Sequence, residues 1–204
     1  MAQHQPTTGA GAVTRTLAAG GVEVVFCNPG TTEMCLVDAF DDVASTLRTI
    51  LCPHETVCTG AADGYARMAN KPAATLLHLG VGLANGSANL HNARRAASPV
   101  INLVGTMATW HETADPLLAS DVRGLAAFSG CFYAPPDPSP DALSDAVADA
   151  LLAVRDFRAG ESRVRDPRGS SKDGIAADAR GGDVERFRGD GSRRDAVAAT
   201  WIFL

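Results

Sequence analysis

An α/β domain with a parallel sheet and helices on both faces is the fold class predicted by this chain. Short continuous apolar runs of strand length alternate with helical stretches of 3.6-residue periodicity, and turn residues fall between the runs rather than inside them. Apolar residues make up 46% of the 204 positions, enough for one domain with a sizeable core and a short appendage.

The elements follow in order. Thr7 or Thr8 caps a first helix whose Val13 and Leu17 face inward, and Gly20-Gly21 ends it. Val22 to Phe26 is an apolar strand, after which Pro29-Gly30 turns the chain. Thr31 or Thr32 caps a second helix with Glu33 in its first turn and Leu36, Phe40 and Val43 as its buried stripe. Leu47 to Leu51 reads as the next strand, interrupted by Pro53. Val57, Ala61, Tyr65 and Met68 then recur at helical spacing. Ala73 to Leu79 forms a third strand, followed by a glycine turn and a helix from Leu83 to Ala97; Pro99 stops it, and Val100 to Val104 is a fourth strand. Ser139-Pro140 opens a last helix with Leu143, Val147, Leu151 and Val154 on one side.

From Asp156 to Phe203 the composition changes to nine Arg, nine Asp plus Glu and many small residues. Such a segment buries too little apolar area to offset its ordering entropy, so residues 156–204 are expected to form a disordered tail after a domain spanning 7–155, with loss of reading frame near Arg155 as its expected origin. The net charge of −5 favours neither nucleic acid nor an anionic membrane. The N-terminus has no apolar run that would mark a signal peptide. Five cysteines without a Cys-x-x-Cys pair read as buried, reduced thiols in a cytoplasmic protein.

Chemistry concentrates at the carboxyl ends of the strands, where ligands bind in α/β sheets. Glu55 opens a helix directly after a strand; by geometry alone it is a first-turn acid favoured by the helix dipole or a ligand-facing carboxylate. Asn28-Pro29-Gly30-Thr31 is an ordinary turn or a loop that approaches a ligand. Gly80-Val-Gly82 after a strand is half of a dinucleotide fingerprint, but the third glycine is displaced to Gly86 and the next strand ends without an acid for a ribose hydroxyl. Cys52, His54 and Cys58 supply only three donors, short of a metal site. His78, His91 and His111 are solitary, with His78 alone at the carboxyl end of a strand.

Four stretches are more specific: Val24-Val-Phe-Cys-Asn-Pro-Gly-Thr-Thr-Glu33; His54-Glu-Thr with Ala61-Ala-Asp-Gly-Tyr-Ala-Arg67; Gly80-Val-Gly-Leu-Ala-Asn85 with Asn89; and Ser98-Pro-Val-Ile-Asn-Leu-Val-Gly105. In order and spacing, the chain from about Gly9 to Arg155 resembles the N-terminal, pyrimidine-binding domain of thiamine-diphosphate-dependent enzymes of the acetolactate synthase, benzoylformate decarboxylase and pyruvate oxidase group. The run from Ala114 to Ala126 looks like the acetolactate-synthase branch.

The resemblance implies a three-layer domain of the pyrimidine-binding type and acetolactate synthase-like chemistry, the carboligation or decarboxylation of a 2-oxo acid, with thiamine diphosphate and magnesium. It implies that Glu55 hydrogen-bonds N1′ of the cofactor's aminopyrimidine and so helps the 4′-nitrogen take the proton from the thiazolium C2. It places Pro29, Gly30, Thr31, Gly82 and Asn85 beside the cofactor, with Val81 standing where the family has proline. The family's cofactor lies between this domain of one subunit and the diphosphate domain of another. The expected partner is therefore a second copy or a full-length family member, the magnesium ligands belong to the missing domain, and the fragment alone is expected to be inactive. A stand-alone regulatory or interaction domain is the competing expectation. Gly189-Asp-Gly-Ser192 imitates the family's diphosphate motif without its later asparagine.

Overall fold

The computed structural model describes residues 8–129, 132–134, 139–158 and 199–203. Six strands form one parallel sheet in the order β2-β1-β3-β4-β6-β5: β1 (Val24–Asn28), β2 (Arg48–Leu51), β3 (Ala73–Leu77), β4 (Val100–Val104), β5 (Phe132–Ala134) and β6 (Ala199–Phe203). The helices are α1 (Gly9–Ala19), α2 (Met34–Asp41), α3 (Glu55–Ala69), α4 (Leu79–Arg95), α5 (Thr109–Glu112), α6 (Val122–Ser129) and α7 (Pro140–Arg158). The result is a three-layer α/β domain, as the alternating pattern predicts. On one face Val13 and Leu17 of α1, Leu36 and Phe40 of α2 and Leu143, Val147, Leu151 and Val154 of α7 pack over Val25, Leu76, Ile101 and Leu103. On the other, Cys58, Ala62 and Ala66 of α3 and Leu83 and Leu90 of α4 cover Val24, Leu77, Val100 and Val104. Successive strand residues serve opposite layers, which is why the strands read as unbroken apolar runs.

Local signals act where they were read. The Thr8 hydroxyl accepts from Gly11 N at 3.1 Å, and the Ser139 hydroxyl accepts from Ala142 N at 3.3 Å with Pro140 as the first helical residue.

Several boundaries and faces differ from expectation. Helix α4 begins at Leu79 rather than Leu83, so Gly80-Val-Gly82 is its first turn and not a glycine loop. Leu79 itself adopts φ 53, taking in one buried leucine the left-handed step that a glycine would ordinarily take. The buried stripe of α3 is Glu55, Cys58, Thr59, Ala62 and Ala66. The expected stripe is displaced outward, with Val57 46% and Met68 88% exposed, because the small residues let α3 lie close against the sheet and α4. The second helix opens as a 3-10 turn, Thr31–Glu33, and its entry is satisfied by the Glu33 carboxylate, which accepts from Gly30 N at 2.8 Å, rather than by a threonine cap. Cys27, Cys52 and Cys58 are buried as expected, whereas Cys35 is exposed; Cys131 lies outside the described residues.

Strands β5 and β6 and helices α5 and α6 have no counterpart in the sequence reading. Residues 199–203, assigned there to the tail, pair in parallel with β4, Val100 opposite Ala199 through Val104 opposite Phe203. The break in composition conceals this strand, since five residues after a long polar stretch carry no periodicity of their own. The rest of the expected tail, including Gly189–Ser192, lies outside the described residues.

Candidate cofactor site

The strand order fixes where a ligand belongs. The connection β1-α2-β2 runs toward one edge of the sheet and β3-α4-β4 toward the other, with α2 and α4 on opposite faces. The crevice between the carboxyl ends of β1 and β3 is therefore the topological switch point. Two buried carboxylates, Glu33 after β1 and Glu55 after β2, lie at the carboxyl ends of these neighbouring strands.

Glu55 is the first residue of α3 and only 6% exposed. His54 caps the helix, its Nδ1 accepting from Thr56 N at 3.2 Å. The Asn85 amide Nδ2 donates to Glu55 Oε2 at 3.0 Å, the Thr56 hydroxyl donates to the Asn85 carbonyl at 2.8 Å, and Asn89 Nδ2 donates to the Thr56 carbonyl at 2.8 Å. The other carboxylate oxygen packs against Gly82, where a Cβ would lie 2.7 Å from Oε1. Leu51, Val57 and Val81, at the same edge of the sheet, are exposed apolar side chains.

Glu33 was read from sequence only as a first-turn acid. Its side chain is fully buried: Oε2 accepts from Gly30 N at 2.8 Å and from His78 Nδ1 at 2.8 Å, and Oε1 accepts from the Thr32 hydroxyl at 2.6 Å. A carboxylate only accepts, so His78 presents Nδ1–H to Glu33 and keeps Nε2 for other contacts. The His78 side chain is 23% exposed, so the ring bridges a buried anion and the open crevice. Gly30 lies against that ring, and a Cβ on Gly105 would fall onto the Glu33 carboxylate. A signal for Glu33 was present in the sequence, in the acid three residues after Gly30; what it lacked was any sign that His78, 45 residues away, closes on the same oxygen. Next to this pair a cleft of about 340 Å³ opens between Leu79 and Gly80, Gly105 to Met107, and Leu118 to Arg123.

Of the residues predicted to face a cofactor, Gly82 and Asn85 touch Glu55 directly, Gly30 touches the His78–Glu33 pair, and Pro29 and Thr31 flank Gly30 in the loop after β1. The donor set fits an aminopyrimidine. One carboxylate oxygen is held by an amide, and the other borders a position that glycine leaves unfilled at hydrogen-bonding distance. Beneath the site Cys27 and Cys52 both donate to the Ile50 carbonyl, at 3.4 and 3.7 Å, and burial followed by the nearby Cys52 pushes the Cys58 thiol far up from its ordinary value. Among the described residues no group of three or more His, Cys, Asp or Glu could hold a metal ion, and no helix is long and apolar enough to cross a membrane.

Comparison with known proteins places this architecture. The family model described as thiamine pyrophosphate enzyme, N-terminal TPP binding domain, matches residues 7–123, more than half of the chain. The chain belongs to this family: it is a thiamine pyrophosphate-binding N-terminal domain of the kind found in acetolactate synthase-like enzymes. It is 49% identical over 152 residues to the "Putative acetolactate synthase large subunit IlvX" of Mycobacterium tuberculosis, covering 74% of this chain and 28% of that protein. It is 36% identical over 85 residues to benzoylformate decarboxylase of Pseudomonas aeruginosa, covering 42% of this chain and 16% of the relative. Among solved structures, the thiamine diphosphate-dependent 4-hydroxybenzoylformate decarboxylase of Rhodococcus jostii RHA1 superposes with a TM-score of 0.66 at 18% identity, over 96% of this chain and 29% of that one, a likeness of fold. The chain thus spans less than a third of the length of these proteins.

Proposed function

We propose that this chain supplies the aminopyrimidine-facing half of a thiamine diphosphate site in an acetolactate synthase-like enzyme acting on 2-oxo acids by carboligation or decarboxylation. The observation that carries the reading is Glu55: a buried carboxylate at the carboxyl edge of the sheet, with Oε2 held by Asn85 and Oε1 beside the side-chain-free Gly82. The chemistry supplied by a bound cofactor is nucleophilic attack of its thiazolium carbon on the substrate carbonyl.

This chain's own residues prepare for that chemistry. Glu55 gives and takes a proton at the ring nitrogen nearest Oε1. Gly82 admits the ring, and the loop Pro29-Gly30-Thr31 borders it from the end of β1. The His78–Glu33 pair borders the open side of the crevice, where His78 Nε2, the nitrogen not bonded to Glu33, is placed to accept a hydrogen bond from a bound group. Magnesium and the diphosphate would be held by a diphosphate-binding domain facing this one across the site, from a second copy or a longer family member.

The test joins residues 1–155 to the central and diphosphate-binding domains of a family member and compares Glu55 with Glu55→Gln. Glutamine keeps the size and can hydrogen-bond the ring but cannot transfer the proton. Exchange of the thiazolium C2 proton should slow by about 10²–10⁴-fold, with stability changed by less than about 1 kcal/mol. Exchange at the parental rate with a lowered melting temperature would make Glu55 a helix-start residue and defeat the proposal.

A further inference from the structure

We infer that Asn85 is a positioning residue that decides which oxygen of Glu55 carries the exchangeable proton. The inference rests on the reading of Glu55 as the proton-exchanging group, and it assigns the proton to Oε1.

Only the NH₂ of an asparagine amide can face a carboxylate, since its carbonyl would oppose oxygen to oxygen. The 3.0 Å contact from Asn85 Nδ2 therefore commits Oε2 to accepting a hydrogen bond. When Glu55 takes up a proton, the amide bond holds Oε2 as the carbonyl oxygen, the better acceptor of the two, so the proton resides on Oε1, the oxygen bordered by Gly82. The amide does more than touch the carboxylate, because the backbone that carries it is fixed. The Thr56 hydroxyl bonds the backbone carbonyl of Asn85, Asn89 Nδ2 bonds the Thr56 carbonyl, and the Thr59 hydroxyl bonds the Gly86 carbonyl at 3.2 Å, so the first two turns of α3 are tied to α4 at Asn85 and just after it. The tie spans two helices that enter the site from different strands. A carboxylate on one is thus aimed by an amide on the other, and Glu55 needs no reorientation when a ring arrives. Asn85 was expected beside the cofactor; its side chain faces the carboxylate.

The experiment uses the intact chain without cofactor, so that its failure is separable from that of the exchange test above. Thermal melting of wild type, Asn85→Ala, Asn85→Asp, Glu55→Gln and Glu55→Gln/Asn85→Asp is compared at about pH 4 and about pH 7.5, on either side of the ordinary carboxyl range. In Asn85→Asp two carboxyl groups share one position. One proton between them relieves the repulsion at low pH, and its loss at neutral pH restores it. The deficit in melting temperature of Asn85→Asp relative to wild type should therefore grow by several degrees, at about 2–4 °C per kcal/mol of repulsion, from low to neutral pH. The growth should vanish in the Glu55→Gln background, while Asn85→Ala, which removes a donor to the carboxylate without adding a second charge, shows a smaller growth of the same sign. His54 and Cys58, the titratable neighbours on α3, are present in every variant and cancel in the comparison. An Asn85→Asp deficit equal at both pH values, or one whose pH dependence persists in Glu55→Gln, would overturn the inference; an Asn85→Asp protein folded only at the lower pH would support it.

Discussion

Gly105→Ala adds one methyl group at the end of β4, and its consequence follows from what that methyl meets. Gly105 does not occupy a left-handed backbone conformation, so alanine suits its φ and the effect is steric alone. The strand cannot retreat, because Gly105 N bonds the Leu77 carbonyl at 3.3 Å and β4 lies between β3 and β6. The new Cβ falls onto Glu33 Oε1, and the carboxylate has to leave its place. Leaving breaks the bonds from Gly30 N, Thr32 and His78 in a side chain with no exposure to water. Hydrogen bonds to a charged group contribute about 1.5–3 kcal/mol each, and buried donors stranded without a partner cost about 1–3 kcal/mol each. Partial relaxation brings the expected total to about 3–5 kcal/mol, comparable to breaking a buried ion pair. For a domain stable by about 5–15 kcal/mol this is a large fraction. Melting should fall by on the order of 10 °C, at about 2–4 °C per kcal/mol. Urea unfolding followed by circular dichroism measures it, with Glu33→Ala as the companion variant: once the carboxylate is gone the methyl has room, and the cost of Gly105→Ala should nearly disappear. A Gly105→Ala protein within about 1 kcal/mol of wild type, or a cost undiminished in the Glu33→Ala background, refutes the reasoning.

Two further outcomes are expected. Helix α4 ends with Ala97 at φ 59, with Ser98 N bonding the Ala93 carbonyl at 2.9 Å and Ala97 N bonding the Arg94 carbonyl at 3.1 Å, the closure in which glycine is ordinarily preferred; Ala97→Gly should stabilise by about 0.5–1 kcal/mol, read as a higher urea midpoint, and a lower midpoint would contradict it. The Cys58 thiol is raised by burial, so the folded chain keeps a proton that the unfolded chain releases above about pH 8.5; its share of stability is complete below that pH and is lost as pH rises, and Cys58→Ala should show a shallower alkaline decline in melting temperature.

The amino-acid sequence by itself determined the layer architecture and the position of Glu55. Val100–Val104 is a strand at the predicted residues, and the four apolar side chains predicted for the inner side of α7 are all buried, because period and capping are local properties that each segment carries alone. Glu55 could be placed at the end of a strand for the same reason: the apolar run, the proline and the helical spacing lie within a few residues of it. The face of α3 was decided elsewhere. Val57 and Met68 are more apolar than Thr59 and Ala62, yet the latter are buried, since the distance between α3 and α4 admits only small side chains and hydrogen bonds from Thr59 to α4 satisfy its hydroxyl. The His78–Glu33 pair, the contact of Asn85 with Glu55 and the meeting of Gly105 with Glu33 join residues 45, 30 and 72 positions apart. Only the sheet order, which sets the carboxyl ends of β2, β1, β3 and β4 side by side, brings them together, and no local preference of the chain encodes that order.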